Sequence, residues 1–259
     1  MNQQIISLDR QKLYINNQFL DILKQKDLLT FNSIFNIKDV NIAKKYLNYR
    51  YTIKVNIIIN NITYSFFLKK YLNFKHIKAS TEASQEWYAM WDFLNNNIPA
   101  PIPVALGVDK DKAFVMSKAV NYTSKLSDWI AKNKTIKTIK KGIIKDIANI
   151  VGKMHQLKLY HQDLYLCHFL CSSEKKAIPL TIIDLQRVKK DPLFKLKWQI
   201  KDLAQLFFSS KNFLTKEDIE YFWTNYKNIS KTRIPKHLIF LIVYLKSLQI
   251  ERHTKKHNL

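Results

Sequence analysis

The hydrophobic period of this chain changes once, near residue 117, and that change limits the folds open to it. Ahead of it the clearest pattern has period two. Residues 50–60, RYTIKVNIIIN, set Tyr51, Ile53, Val55, Ile57 and Ile59 on one face of an extended strand. Asn60-Asn61 then supplies a turn, since asparagine tolerates left-handed backbone. The next run, ITYSFFLKKY, is again rich in β-branched and aromatic residues, so the two runs read as a hairpin. A second, smaller hairpin is expected from 102–108 and 113–117 around DKDK. Between the hairpins Ala83, Trp87, Met90 and Leu94 recur at helical spacing within 81–96. Ser80 or Thr81 is the start signal there, and PAPIP at 99–103 the stop.

Beyond residue 117 the period becomes 3.6. Residues 142–157 carry a wide apolar stripe that includes Ile143, Ile147, Val151 and Met154. PLTIIDL, 179–185, reads as a short apolar strand. Residues 197–210, 216–226 and 236–250 read as helices, and ERHTKKHNL as a frayed basic end. The expected class is α+β, with an antiparallel-sheet lobe over 1–117, a mainly helical lobe over 118–259, and a cleft at the junction.

Charge narrows the partners. The 43 Lys and Arg face 20 Asp and Glu, a formal net charge of +23. Such a surface attracts polyanions, although a genome-wide bias toward lysine and asparagine codons gives the same count. The lysines are spread rather than blocked and no binding module is visible, so nucleic acid is not expected as the partner. Two cysteines are too few for a secreted disulfide scaffold. MNQQIISLDRQKLYINN has no apolar core of a signal peptide. LIFLIVYL, 238–245, falls far short of the roughly 20 residues of a bilayer span and reads as a buried helix. A cytoplasmic protein, soluble or peripheral, is the expectation.

The chemistry concentrates in YHQDLYLCHFLC, 160–171. As a metal site, Cys167-His168-x-x-Cys171 lacks a second ligand pair at zinc-like spacing. As core filler it accounts for Leu166, Phe169 and Leu170 but not for Asp163. As a catalytic loop it fits phosphoryl transfer. One Asp takes or orients the proton of an attacking hydroxyl, and a second holds Mg²⁺ on the nucleotide phosphates. A strand Lys neutralises phosphate charge, and a helix Glu holds that Lys. The chain supplies these in order: Lys69 at the end of YSFFLK, Glu86 in the next helix, Asp163 in HQD, Asp184 in IIDL. Lys70 is the rival to Lys69, and His161 is expected to be structural rather than a base.

These residues resemble the lipopolysaccharide core heptose(I) kinases of Gram-negative bacteria, enzymes with a protein-kinase-like fold. The likeness runs from about residue 60 to the C-terminus and is strongest in MHQLKLYHQDLYLCHFL. IIDLQR, KDLAQLFFSS, EWYAMW and the tail ERHTKK also resemble the family, while the first 45 or so residues match loosely. The resemblance implies ATP-dependent phosphorylation of O-4 on the first heptose of the inner core. It makes Asp163 the catalytic Asp, Asp184 the metal-binding Asp, Lys69 the phosphate-pairing Lys and Glu86 its partner. It places His168 where ordinary kinases put a metal-binding Asn, and has Asp202 brace the catalytic loop together with His161. Ser117, Lys118 and Ala119 at the joint are expected to contact the nucleotide.

Departures from ordinary kinases are plain. Residues 31–50 contain no glycine, so phosphate must be covered without a Gly-rich loop, with Lys38, Lys44 and Lys45 as candidates. Gln162 stands where many kinases read activation-loop phosphorylation with Arg, which argues against such a switch. A Kdo kinase, another small-molecule phosphotransferase and a non-catalytic basic pseudokinase are the alternatives. The implied partners are the lipopolysaccharide inner core, the anionic cytoplasmic face of the inner membrane, and an acidic protein such as acyl carrier protein. The segment QRVKKDPLFKLKWQIK, 186–201, mixes basic and apolar residues and is the expected acceptor-side contact.

Overall fold

The computed structural model describes residues 4–38, 42–46, 49–132, 137–172, 178–232 and 234–256, with the side chains of 42–46 and 137–140 also outside that description. The chain forms two compact units. One takes Met1–Asn95 and Pro101–Val120, the other Asn96–Ala100 and Asn121–Leu259.

The first unit is built on a seven-stranded antiparallel sheet. Its elements are β1 (Ile5–Leu8), β2 (Leu13–Asn16), α1 (Leu20–Lys24), α2 (Phe31–Phe35), β3 (Ile42–Tyr46), β4 (Arg50–Ile59), β5 (Ile62–Leu72), α3 (Ala79–Asn95), β6 (Pro103–Asp109) and β7 (Lys112–Lys118). The strand order is β1-β2-β6-β7-β5-β4-β3. Asn60 and Asn61 join β4 to β5 with φ of 48° and 62°, the left-handed pair that a two-residue hairpin needs. Alternation then sorts β5 into two faces. Phe66 and Leu68 enter a core with Ile53, Val55 and Ile57 of β4, closed by Phe19, Leu23, Phe31 and Ile34. Helix α3 lies on β5, β6 and β7 and buries Ala83, Glu86, Trp87 and Met90.

Residues before 45, loosely matched in the sequence, contribute edge strand β1, its neighbour β2, the start of edge strand β3 and two short helices to this unit. Strand β2 pairs with β6 in the register Leu13↔Gly107. Gly107 is required there, because a Cβ would lie 2.1 Å from the Phe114 ring. Lys38 is exposed. The side chains of Lys44 and Lys45 lie outside the described residues.

The second unit is mainly helical: β8 (Ser124–Lys125), α4 (Leu126–Lys132), α5 (Lys137–Gln156), β9 (Leu159–Tyr160), β10 (Phe169–Cys171), β11 (Leu180–Ile182), β12 (Lys189–Lys190), α6 (Lys195–Ser210), α7 (Lys216–Ser230) and α8 (Lys236–Lys256). Helix α5 packs on α7, and α6 on α8. Two small antiparallel sheets, β11-β10-β8 and β12-β9, hold the loops between them. Two expectations need correction. The basic end does not fray at Glu251, because α8 runs on to Lys256 and Glu251 there pairs with Lys211 at 2.6 Å and Lys255 at 3.3 Å. LIFLIVYL is helical but only partly buried. Ile239 is enclosed, whereas Leu238, Leu241, Tyr244 and Leu245 are exposed, since a helix on the surface can turn only one face inward. Among the described residues no helix is long and apolar enough to cross a membrane.

Candidate active site

The loop that follows β9 is fixed from beneath by one carboxylate. Asp202, fully buried on α6, accepts the backbone N–H of His161 through Oδ2 at 2.8 Å and that of Gln162 through Oδ1 at 2.7 Å. Buried amides need such acceptors, and here they orient the loop. Gln162 has a φ of 65°, left-handed backbone that a non-glycine residue adopts at a cost and that these bonds hold in place. His155 of α5 brings its Nε2 to 3.3 Å from Asp202 Oδ2 and its Nδ1 to 2.9 Å from the Tyr226 hydroxyl of α7. Gln199 donates to that hydroxyl at 2.6 Å. With Asp202 ionised, donors run one way: Gln199 to Tyr226, Tyr226 to His155, His155 to Asp202. The sequence pointed to Asp202 but not to His155 or Tyr226. The signal available for them was only their type, since they lie 47 and 24 residues from Asp202 on other helices.

His161 ties the loop to the strand that bears Asp184. It is fully buried, accepts the Asp163 N–H on Nδ1 at 3.3 Å and donates from Nε2 to the Ile183 carbonyl at 3.0 Å. Burial pushes its pKa down, which keeps it neutral in this arrangement. Asp184 itself has left-handed backbone, φ 61°. His168 donates from Nδ1 to the Asp163 carbonyl at 2.6 Å, which turns Nε2 toward Asp184 Oδ2, 3.8 Å away. Asp163, His168 and Asp184 thereby each offer a ligand atom within 4.8 Å of the others. Burial opposes a charge on His168, but hydrogen bonds to the Cys167 side chain and the Asp163 carbonyl, with the charges of Cys167 and Asp184, push it up to about 9.

The donor set fits a hard divalent cation through its two carboxylates. The imidazole is a softer third ligand and must lose its proton to bind. The cysteines do not join this cluster as a metal pair: Cys167 lies in the turn 166–168 beside His168, while Cys171 is buried on β10 with Sγ 3.3 Å from the Ser124 carbonyl.

In the first unit, Lys69 on β5 and Glu86 on α3 form an ion pair at 2.8 Å. Glu86 also accepts the Tyr71 hydroxyl on its other oxygen at 2.6 Å. Burial and the neighbouring Glu86 charge raise the Tyr71 pKa well above its usual value, so it stays a donor. Tyr71 was missed in the sequence, although two residues beyond Lys69 on a strand is the position that shares its face. Lys70 points the other way. It is buried, donates to the Ile37 carbonyl at 2.9 Å and sits over the Phe35 and Tyr51 rings. Strand alternation therefore gives the glutamate to Lys69. Ser117 and Lys118 end β7, and Ala119 follows. The Lys118 and Ala119 amides donate to Ile102 and Ser65 at 2.9 Å. Any nucleotide contact from these two residues falls to their carbonyls or side chains.

A family model described as "Lipopolysaccharide kinase (Kdo/WaaP) family" matches residues 60–226, more than half of the chain. The chain belongs to this lipopolysaccharide kinase (Kdo/WaaP) family. Every site residue named above lies within the match. The chain is 30% identical over 157 residues to the lipopolysaccharide core heptose(I) kinase WaaP of Escherichia coli, covering 56% of this chain and 59% of that protein. It is 29% identical over 150 residues to the protein of that name from Pseudomonas aeruginosa, covering 52% and 56%. The match thus spans somewhat over half the length of these curated relatives. The α+β class, with an antiparallel sheet first and helices after it, agrees with a kinase-like member of the family.

Proposed function

We propose that this chain is an ATP-dependent kinase that phosphorylates O-4 of the first heptose in the lipopolysaccharide inner core. The observation that carries the reading is the convergence of Asp163, His168 and Asp184 on a loop braced by Asp202, within the stretch that matches the family. Asp163 takes the proton of the sugar hydroxyl as its oxygen bonds the γ-phosphorus. The bond from that phosphorus to the bridging oxygen breaks, and ADP leaves. Lys69, oriented by Glu86 and Tyr71, offsets phosphate charge. Asp184, with His168 beside it, would hold a divalent cation, proposed as Mg²⁺, whose charge neutralises the phosphates when bound. The proposed substrate is lipid-linked, which favours work at the cytoplasmic face of the inner membrane. The net charge of +23 suits that surface, and equally an acidic partner such as acyl carrier protein.

The direct test is incubation with ATP, Mg²⁺ and dephosphorylated inner-core lipopolysaccharide, followed by ³¹P NMR of the released oligosaccharide. A phosphate resonance on heptose O-4 is expected. A phosphate on Kdo instead would establish the second reading, which the description of the family also covers. No transfer to either sugar refutes the lipopolysaccharide-kinase reading, and ATP turnover then separates another phosphotransferase from a pseudokinase.

Two further outcomes follow from the geometry. ATP with Mg²⁺ at about 100 times Kd stabilises the folded protein by about 2.7 kcal/mol. Asp184→Ala is expected to remove the metal-dependent part of the accompanying rise in Tm. An unchanged shift would move the metal elsewhere. Lys69→Ala is expected to lower kcat/KM far more than Lys70→Ala does, and to lower Tm as well, because it strands the buried Glu86 carboxylate. Lys70→Ala is expected to act mainly on Tm, because it empties a packed site beneath the sheet. A larger loss of turnover in Lys70→Ala than in Lys69→Ala would overturn the assignment of the phosphate lysine.

A further inference from the structure

The segment between Asp184 and α6 breaks two local rules at once. Leu193 and Phe194 are 83% and 80% exposed, the two most exposed large apolar side chains among the described residues. Phe194 is also the residue preceding α6, with φ 57° and ψ 47° and no side-chain cap. That position ordinarily takes Ser, Asp or Asn, and a bulky side chain in left-handed backbone is a strained exception. Neither residue gains packing within the chain in return. A local conflict without a compensating contact marks a surface shaped for something outside the fold.

The loop is also firmly built. The Trp198 indole donates to the Leu193 carbonyl at 3.2 Å, and the Lys197 N–H to the Phe194 carbonyl at 2.9 Å. Strand β12 pairs with β9 just before the loop, and Gln162 donates to the Arg187 carbonyl at 2.5 Å. Flanking the two apolar residues in the sequence are Arg187, Lys189, Lys190, Lys195 and Lys197, all exposed, and the one acidic residue among them, Asp191, pairs with Lys195 at 2.6 Å. Lys189 and Lys197 lie over the Trp198 ring at 4.4 and 5.0 Å. A pair of apolar side chains held out from a hydrogen-bonded loop and flanked by exposed cations matches the layering of an anionic bilayer surface, acyl chains beneath negative headgroups.

We propose that residues 187–198 form a membrane-docking element, in which Leu193 and Phe194 enter the headgroup–acyl boundary of an anionic leaflet and the surrounding lysines bind its headgroups. Its purpose rests on the kinase reading, since it would hold the enzyme where a lipid-linked sugar is presented. The binding itself does not depend on that reading.

The test is co-sedimentation of the full chain with vesicles of phosphatidylglycerol and phosphatidylcholine, and with phosphatidylcholine alone, in the absence of ATP and lipopolysaccharide. Wild type is expected to bind the anionic vesicles and to be released from them progressively as salt rises. L193S/F194N is expected to lose about tenfold or more of that affinity. Its Tm should stay level or rise, because Asn tolerates the left-handed position better than Phe, and the nucleotide-dependent rise in Tm should persist. Charge reversal at Lys189, Lys190, Lys195 and Lys197 should cost on the order of fivefold or more per lysine, and reversal at Lys255 and Lys256 far less. Equal binding by wild type and L193S/F194N, or equal binding of wild type to neutral and anionic vesicles, overturns the proposal. Failure of phosphate transfer to a soluble, deacylated acceptor with vesicle binding intact would refute the kinase reading alone.

Discussion

Asp163→Asn is expected to fold and melt like the parent protein and to transfer phosphate ~10²–10⁴-fold more slowly, the usual loss when a positioned base is removed. The bonds that set the residue in place run through its backbone: its N–H donates to His161 Nδ1, and its carbonyl accepts from His168 Nδ1 and the Tyr165 N–H. An amide of the same shape leaves those bonds intact, removes the proton acceptor and takes one carboxylate charge from the candidate metal site, where Asp184 remains. No histidine nearby can substitute. His161 is buried, held neutral, and has both ring nitrogens engaged. His168 has Nδ1 committed to the Asp163 carbonyl and Nε2 turned toward Asp184 Oδ2 in the candidate metal site. The measurement is single-turnover transfer with purified, folded protein, alongside the ATP-dependent shift in Tm. The shift should survive. Near-normal turnover would put the base elsewhere and reduce the loop to a structural element.

The parts that were legible in the sequence are those encoded over short distances. The β4–β5 hairpin shows in alternation plus two asparagines, and both asparagines are left-handed as that turn requires. Helix α3 shows in the spacing of Ala83, Trp87 and Met90, all buried. The first two strands, IISL and LYIN, are four residues each, too short for a period to emerge from noise. Their place in the sheet is decided by the pairing of β2 with β6, some ninety residues away, which local pattern cannot carry. The site divides in the same way. Lys69, Glu86, Asp163 and Asp184 could be proposed because their order along the chain follows a known chemical division of labour, and the structure pairs the first two and groups the last two with His168. Tyr71, His155 and Tyr226 act through contacts across elements, so nothing adjacent in sequence marks them. Residues 193–194 are a third case. The mixture of basic and apolar residues was visible, but their exposure and the strained backbone of Phe194 were not.

The largest stability effect is expected at Asp202 rather than at any residue that would touch substrate. Asp202→Ala leaves the His161 N–H, the Gln162 N–H and the His155 ring N–H without their acceptor in a site closed to water. Stranding buried donors costs about 1–3 kcal/mol each, and partial relaxation brings the total to about 3–5 kcal/mol. For a chain of this size that is roughly 6–20 °C in Tm. Asp202→Asn keeps one oxygen and should cost less, because the amide oxygen can still serve one of the loop amides while the amide nitrogen faces the other. Tyr226→Phe should cost less again. It removes the hydroxyl that bonds His155 and Gln199 but leaves the ring packed between α5 and α7. Asp184→Ala is the contrasting control: it deletes a carboxylate of the candidate metal site that is partly open to solvent, so its effect should fall on metal dependence and turnover. A brace also predicts how activity fails. At a temperature where Asp202→Asn remains folded, kcat should drop through loosened placement of Asp163, and the nucleotide-dependent rise in Tm should be nearly preserved. An Asp202→Ala protein that melts with the parent and turns over at the parent's rate would show that the loop keeps its shape without the carboxylate.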